Sequence, residues 1–152
     1  MKKINAILVF MMLFAFGTQA QIFNPVKWSV AVKKLDNKEN EAVVFIKGTI
    51  DNGWYIYSTK IEEGGPIATS FTFEKSKDYN LVGDIAEPKA QSKYEEVFDM
   101  DVAYFAKQVV FQQKVKLNKK GETVVKGTVE WQACDADQCL PPDEHTFAVK
   151  IQ

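Results

Sequence analysis

The sequence predicts an all-β domain, an immunoglobulin-like antiparallel β-sandwich. Two observations lead there: eight or nine short runs with strand-like patterning, and clusters of Gly, Asn, Asp, Lys and Pro that punctuate them. A third is the lack of any stretch with the 3.6-residue period of an amphipathic helix. There are no internal repeats and no low-complexity segments.

The chain opens with Lys2 and Lys3, a continuous apolar run from Ala6 to Phe16, and then Gly17-Thr18-Gln19-Ala20. A basic start, a short apolar core and small residues before the break predict a secretory signal peptide, residues 1–20, cleaved after Ala20. The run is shorter than the ~20 residues that span a bilayer, so no membrane insertion is expected after cleavage. No cysteine at the cleavage point offers a lipid anchor. Residues 21–152 then form one exported domain.

Within that domain Val26 to Leu35 alternates in period two, with Val26, Trp28, Val30 and Val32 on one face. The polar turn Asp36–Asn40 leads to a second strand, Glu41 to Ile50, making a hairpin in which Val43, Phe45 and Ile50 are expected inward. Asp51-Asn52-Gly53 is a turn because Asn and Gly tolerate positive φ. Trp54-Tyr55-Ile56-Tyr57 follows, and in either register one of its large rings faces away from the core. Ile61 to Ala68 is a loop, Thr69 to Glu74 a strand with Phe71 and Phe73 on one face, and Tyr79 to Gly83 a short strand.

Glu87 to Lys93 is polar and irregular and is expected to be a long surface loop. Val102–Phe105 and Val109–Leu117 read as strands, the second with imperfect alternation of Val109, Phe111, Lys114 and Val115. A turn at Asn118–Glu122 precedes Thr123–Trp131, with Val125, Val129 and Trp131 inward, and His145–Ile151 closes the chain with Phe147, Val149 and Ile151 on one face.

The formal charge is −1, and loss of Lys2 and Lys3 with the signal makes it −3. There is no arginine, so there is neither a basic patch for nucleic acid nor a guanidinium fork for phosphate or carboxylate. No Ser-His-Asp context and no glycine-rich phosphate loop is present, which argues against a hydrolase or a nucleotide enzyme. His145, the single histidine, reads as a surface strand residue.

The only two cysteines, Cys134 and Cys139, lie between Trp131 and Pro141-Pro142 with four residues separating them. Two cysteines and one histidine fall short of a zinc set, so no metal and no cofactor is expected. In an oxidising compartment the two are expected to pair. A ring this small stabilises by ~2 kcal/mol or less, which makes it a weak staple and leaves a switchable bond or a pinned loop as the two readings. Asp135 and Asp137 raise thiol pKa rather than lower it, so a thioredoxin-type nucleophile is not indicated, although these carboxylates can accept protons during exchange.

Three features resemble one family: the aromatic strand Gly53-Trp54-Tyr55-Ile56-Tyr57, the segment Glu96-Val97-Phe98, and Cys134–Cys139 followed by Leu140-Pro141-Pro142. They are similar to the N-terminal periplasmic domain of DsbD, a thiol:disulfide interchange protein of Gram-negative bacteria. The resemblance implies a sandwich with its redox pair at one end under a cap loop. Cys134 and Cys139 would exchange, with Cys139 attacking partner disulfides. Tyr55, Tyr57, Glu96 and Phe98 would line the site, Gln91 to Glu95 would take the cap position, and Tyr94 would be its shield. The cap lacks the family's Asp-Glu-Phe run. The chain is expected to act as a stand-alone copy, a component of a protein-disulfide reductase system. Its electrons would come in trans from a thioredoxin-like or DsbD-type donor and pass to periplasmic disulfide isomerase-like acceptors. The alternative is a non-catalytic β-sandwich binding module whose disulfide is structural.

Overall fold

A computed structural model describes residues 23–36 and 40–152. The expected signal peptide lies outside these residues, as do positions 37–39 of the first turn. The described chain is all strand: β1 (Val26–Lys34), β2 (Glu41–Ile50), β3 (Tyr55–Tyr57), β4 (Ser70–Phe73), β5 (Tyr79–Ala86), β6 (Gln91–Glu95), β7 (Met100–Ala106), β8 (Gln108–Leu117), β9 (Thr123–Trp131), β10 (Ala133–Cys134) and β11 (Asp143–Ile151). They form three antiparallel sheets, in the orders β1-β2-β8-β5, β10-β3-β7-β6 and β11-β9-β4. The fold is an immunoglobulin-like β-sandwich.

The first sheet buries one face against the other two. Ala42, Val44, Ile46 and Ile50 of β2 and Val109, Phe111 and Val115 of β8 meet Val125, Val129 and Trp131 of β9 and Ile56, Phe105 and Ala133 of the middle sheet. Trp28 anchors the junction, with ring centres 5.2 Å from Trp131 and 6.2 Å from Phe111. Fully burying side chains of this size contributes about 1.5–3 kcal/mol each, so this layer dominates the fold's stability.

Several strands differ from the sequence reading, for physical reasons. β2 has the opposite register: Ala42, Val44 and Ile46 join the main core, where Val43 and Phe45 were expected, while Ile50 faces inward as expected. Pairing with β1 decides it, because Val30 and Val32 stand opposite Ile46 and Val44. β8 alternates cleanly once Gln113 counts as an inward residue, and Lys114 points to solvent. β5 runs on to Ala86 across a register shift after Val82, with Gly83 at φ 68°. The segment expected as a loop over 87–93 ends in strand, since Gln91–Lys93 belong to β6. β6 is an edge strand bonded only to β7, and polar side chains are what an exposed edge carries.

The turn before β3 follows the sequence reading: Trp54 N–H donates to Asp51 C=O at 3.1 Å, and Gly53 sits at φ 85°. Alternation then sends Ile56 into the main core and turns Tyr55 and Tyr57 to the opposite face of the middle sheet.

Candidate functional site

The cysteine ring is a miniature hairpin on the edge of the middle sheet. β10 pairs with β3, placing Cys134 opposite Tyr55, and the chain reverses so that Cys139 stands across from Cys134. Asp135 N–H donates to Gln138 C=O at 2.9 Å and Leu140 N–H to Ala133 C=O at 2.8 Å. Within the turn the Asp135 carboxylate accepts the N–H groups of Asp137 and Gln138, each at 2.8 Å. The Asp137 N–H first, then that of Gln138, holds the Asp135 carboxyl below its ordinary value. Pro141 and Pro142 lack the N–H groups that would carry the ladder further.

Cys134 and Cys139 form a disulfide with Cα atoms 4.0 Å apart. Its two ends differ in access: Cys134 is fully buried and Cys139 is exposed. An incoming thiolate therefore meets one sulfur of the pair.

Cys134 shares its face of the sheet with Tyr57, Val102, Tyr55, Met100 and Tyr104. β6 adds Lys93 and Glu95 to this face. Tyr55 and Tyr57 donate their hydroxyls to Glu95 Oε1 at 3.2 and 3.1 Å, and the Tyr55 hydroxyl also lies 3.1 Å from the Asp135 carbonyl oxygen. Lys93 Nζ pairs with Glu95 Oε1 at 2.7 Å and stands 3.4 Å above the centre of the Tyr55 ring. A cleft of about 290 Å³ opens over this group, lined by Tyr55, Tyr57, Lys93, Glu95, Val97, Phe98 and the Asp135–Cys139 segment.

Burial pushes the Tyr57 hydroxyl up, and its contacts with Tyr55 and Glu95 push it the same way, so it stays protonated and donating. For Glu95, burial raises the carboxyl but the Lys93 hydrogen bond and charge outweigh it, and the net direction is down. For Lys93, burial lowers the ammonium but its contacts with Glu95 and Tyr55 outweigh it, and the net direction is up. The cleft floor is thus an ionised Lys93–Glu95 pair beside the protonated Tyr57 hydroxyl.

Of the site residues expected from sequence, the structure gathers Cys134, Cys139, Tyr55, Tyr57, Phe98, Asp135 and Asp137 around one cleft. Tyr94 and Glu96 do not join it. Both are exposed, and the Tyr94 hydroxyl bonds Asp99 instead. In a strand, neighbours in sequence point to opposite faces, so placing Gln91–Glu95 in β6 puts Lys93 and Glu95 where Tyr94 and Glu96 were expected. Lys93 and Glu95 escaped sequence reasoning because β6 read as loop. Asp137 reaches the turn with its N–H, and His145 lies exposed on β11. Among the described residues no cluster of three or more His, Cys, Asp or Glu could hold a metal ion, and no helix is long and apolar enough to cross a membrane.

Fold and site together define a β-sandwich that presents a disulfide on a sheet edge, one sulfur covered and one in reach of solvent. The family model for the N-terminal part of the thiol:disulfide interchange protein DsbD matches residues 22–151, and the chain belongs to that family. The family takes part in thiol–disulfide exchange. Among solved structures, the N-terminal periplasmic domain of ScsB from Proteus mirabilis aligns with a TM-score of 0.60 at 15% identity, over 84% of this chain and 47% of that one. The present chain thus spans about half the length of that structure. The reduced DsbD N-terminal domain of Neisseria meningitidis aligns at 0.50 and 17% identity, over 79% and 82% of the two chains. A structure of the complex between the DsbD and PilB N-terminal domains of the same organism aligns at 0.51 and 17%, over 80% of each. No curated protein matches the chain.

Proposed function

We propose that residues 21–152 are an exported thiol–disulfide exchange module that cycles through the Cys134–Cys139 pair. The supporting observation is the unequal burial of the two cysteines, Cys134 buried and Cys139 exposed and lining the cleft. Export is supported by the family match beginning at residue 22, directly after the expected cleavage point, and by the periplasmic origin of the ScsB domain. Docking of a partner protein is supported by the solved complex of DsbD and PilB domains.

In the reducing half-cycle a thiolate of a thioredoxin-like or DsbD-type donor attacks Cys139 Sγ. The S–S bond breaks, Cys134 leaves as a thiolate and takes a proton, and a mixed disulfide joins the donor to Cys139. The donor's second thiolate attacks its own sulfur in that bond and releases Cys139, so the donor ends as a disulfide and the pair as two thiols. The discharging half-cycle runs the same steps in reverse on an acceptor disulfide, with Cys139 as attacker. Nothing beyond partner thiols is needed to balance two electrons and two protons.

Trapping with single-cysteine variants tests this reading. Cys134→Ser, which leaves the exposed Cys139 without its resolving partner, is expected to accumulate a mixed disulfide with a thioredoxin-like protein, and Cys139→Ser far less. A glutathione titration should place the pair above about −300 mV. A lower potential, with no trapped complex from either variant, would mean that the disulfide only pins a loop.

A further inference from the structure

Two cavities beside β4 and β5 take no part in the exchange chemistry. One, of about 360 Å³, is lined by Phe71 and Phe73 of β4, Leu81 and Ile85 of β5 and Gln113 of β8 among others. The other, of about 320 Å³, shares Phe73 and Leu81 with it. Together they form one trough between the edge strand of the third sheet and the edge strand of the first.

On the trough side the backbone of β4 is unpaired. Glu74 N–H donates to Lys126 C=O at 2.9 Å, and alternation then makes Thr72 and Ser70 the residues bonded to β9. The N–H and C=O groups of Phe71 and Phe73 therefore point away from β9, toward an edge with no strand beside it among the described residues. Thr69 N–H, the previous one in that row, is taken by Ser58 C=O at 3.3 Å, so the free run is Phe71 to Phe73. Leu81 and Val82 are exposed large apolar residues on β5. The trough also holds a buried polar group short of a partner. Gln113 is 2% exposed, its Nε2 faces the carbonyls of Val82, Gly83 and Lys114, and its Oε1 accepts no hydrogen bond from any described residue.

We propose that this edge is a peptide-binding site. An extended segment of a partner protein adds a strand to β4 at Phe71 and Phe73, sets alternate apolar side chains between those rings and Leu81, and gives a donor to Gln113 Oε1. The site stands apart from the exchange reading and does not rest on it. A second copy of this chain fits the trough poorly. Its β4 rings already pack in its own core, as Phe71 does against Trp28 and Phe111, so they cannot fill the trough. Pairing along an edge of four residues also buries less than the ~800 Å² per partner of a stable interface. A flexible segment brings both free backbone groups and free side chains.

The probes are short peptides with blocked ends in which threonine alternates with valine, leucine or phenylalanine, titrated into the isotope-labelled protein and followed by NMR. At least one is expected to bind saturably with a Kd below about 1 mM, moving the amide signals of Phe71 and Phe73 and the side-chain amide of Gln113. N-methylation of the peptide along its paired edge should weaken binding about tenfold or more, the cost of losing more than one backbone hydrogen bond. Leu81→Asp, which sets a charge in the trough, should weaken it by about as much. Leu81→Ala should weaken it a few-fold and keeps the test available if the aspartate variant folds poorly. Mixed-disulfide trapping by Cys134→Ser should be the same with and without Leu81→Asp, so either reading can fail while the other stands. No saturable shift from any peptide would overturn the proposal, as would an N-methylated peptide that binds as tightly as its parent, or shifts that map to the cysteine ring instead of β4. A dimer that protects the Phe71 and Phe73 amides without peptide would assign the edge to a second copy and overturn it too.

Discussion

One position after Cys134, a free carboxylate would oppose thiolate formation. In the fold Asp135 is instead the cap of the ring's turn, accepting two backbone N–H groups. Asp135→Ala removes those acceptors from the closed ring, so the closed form is expected to lose ground to the open dithiol. A glutathione titration should show a few-fold shift toward the reduced pair, the range for one lost turn cap. Asp137→Ala removes no acceptor from those two N–H groups and should leave the equilibrium in place. The folded Asp135 carboxyl lies below its ordinary 3.8, so its contribution is complete above that value and is lost as pH falls through the folded value. Glu95 behaves alike against its ordinary 4.5, and Lys93 is its mirror image. The ammonium is raised from 10.5, so its contribution is full below that value and disappears as pH rises through the folded value. Stability measured by denaturant unfolding should therefore be level between about pH 5 and 10, with the ordinary values as its limits. Glu95→Gln should shrink the acid limb, and an unchanged acid limb in that variant would show that the pair contributes nothing.

Strands with a buried face and a turn at each end announce themselves in sequence, and β1, β9 and β11 follow the residues expected inward. β2 does not, because all of Ala42, Val43, Val44 and Ile46 are buried and a run apolar on both faces carries no parity of its own. Its register comes from β1 across the hairpin. β6 shows the opposite failure, since an edge strand rich in polar residues has no apolar alternation to read. That single strand is also why the cysteines and tyrosines of the cleft were legible while Lys93 and Glu95 were not. β8 holds a third case in Gln113, which is buried and sends Nε2 to the carbonyls of Gly83 at 3.2 Å and Lys114 at 3.0 Å. This amide ties β8 to the irregular part of β5, where the ladder's own register shifts. Gln113→Ala leaves those carbonyls short of a donor and should destabilise the domain by about 1–3 kcal/mol in denaturant unfolding. The glutathione equilibrium should not follow, because the bulge belongs to the first sheet and the cysteines to the middle one. A parallel change in both would mean that the sheets transmit strain to the ring.

Across the whole molecule, what distinguishes a carrier from a stapled domain is whether the fold depends on the bond it breaks. The main core runs through all three sheets and draws no residue from the cysteine ring itself, only the flanking Ala133 and Leu140. Cys134 belongs to the second, smaller cluster with Tyr57 and Val102, which the hairpin contacts also support. Closing a ring of this size removes about 2 kcal/mol of chain entropy from the unfolded state, a small part of the 5–15 kcal/mol typical of a domain. Reduction should therefore leave the sandwich folded, with near-ultraviolet circular dichroism retained and the thermal midpoint lowered by less than about 10 °C. Cys134→Ser with Cys139→Ser should match the reduced protein, since both lack the bond. If reduction instead abolishes the cooperative transition, the bond is part of what holds the sandwich together. A module that unfolds at each turnover could not pass electrons onward, and the exchange reading would fall with it.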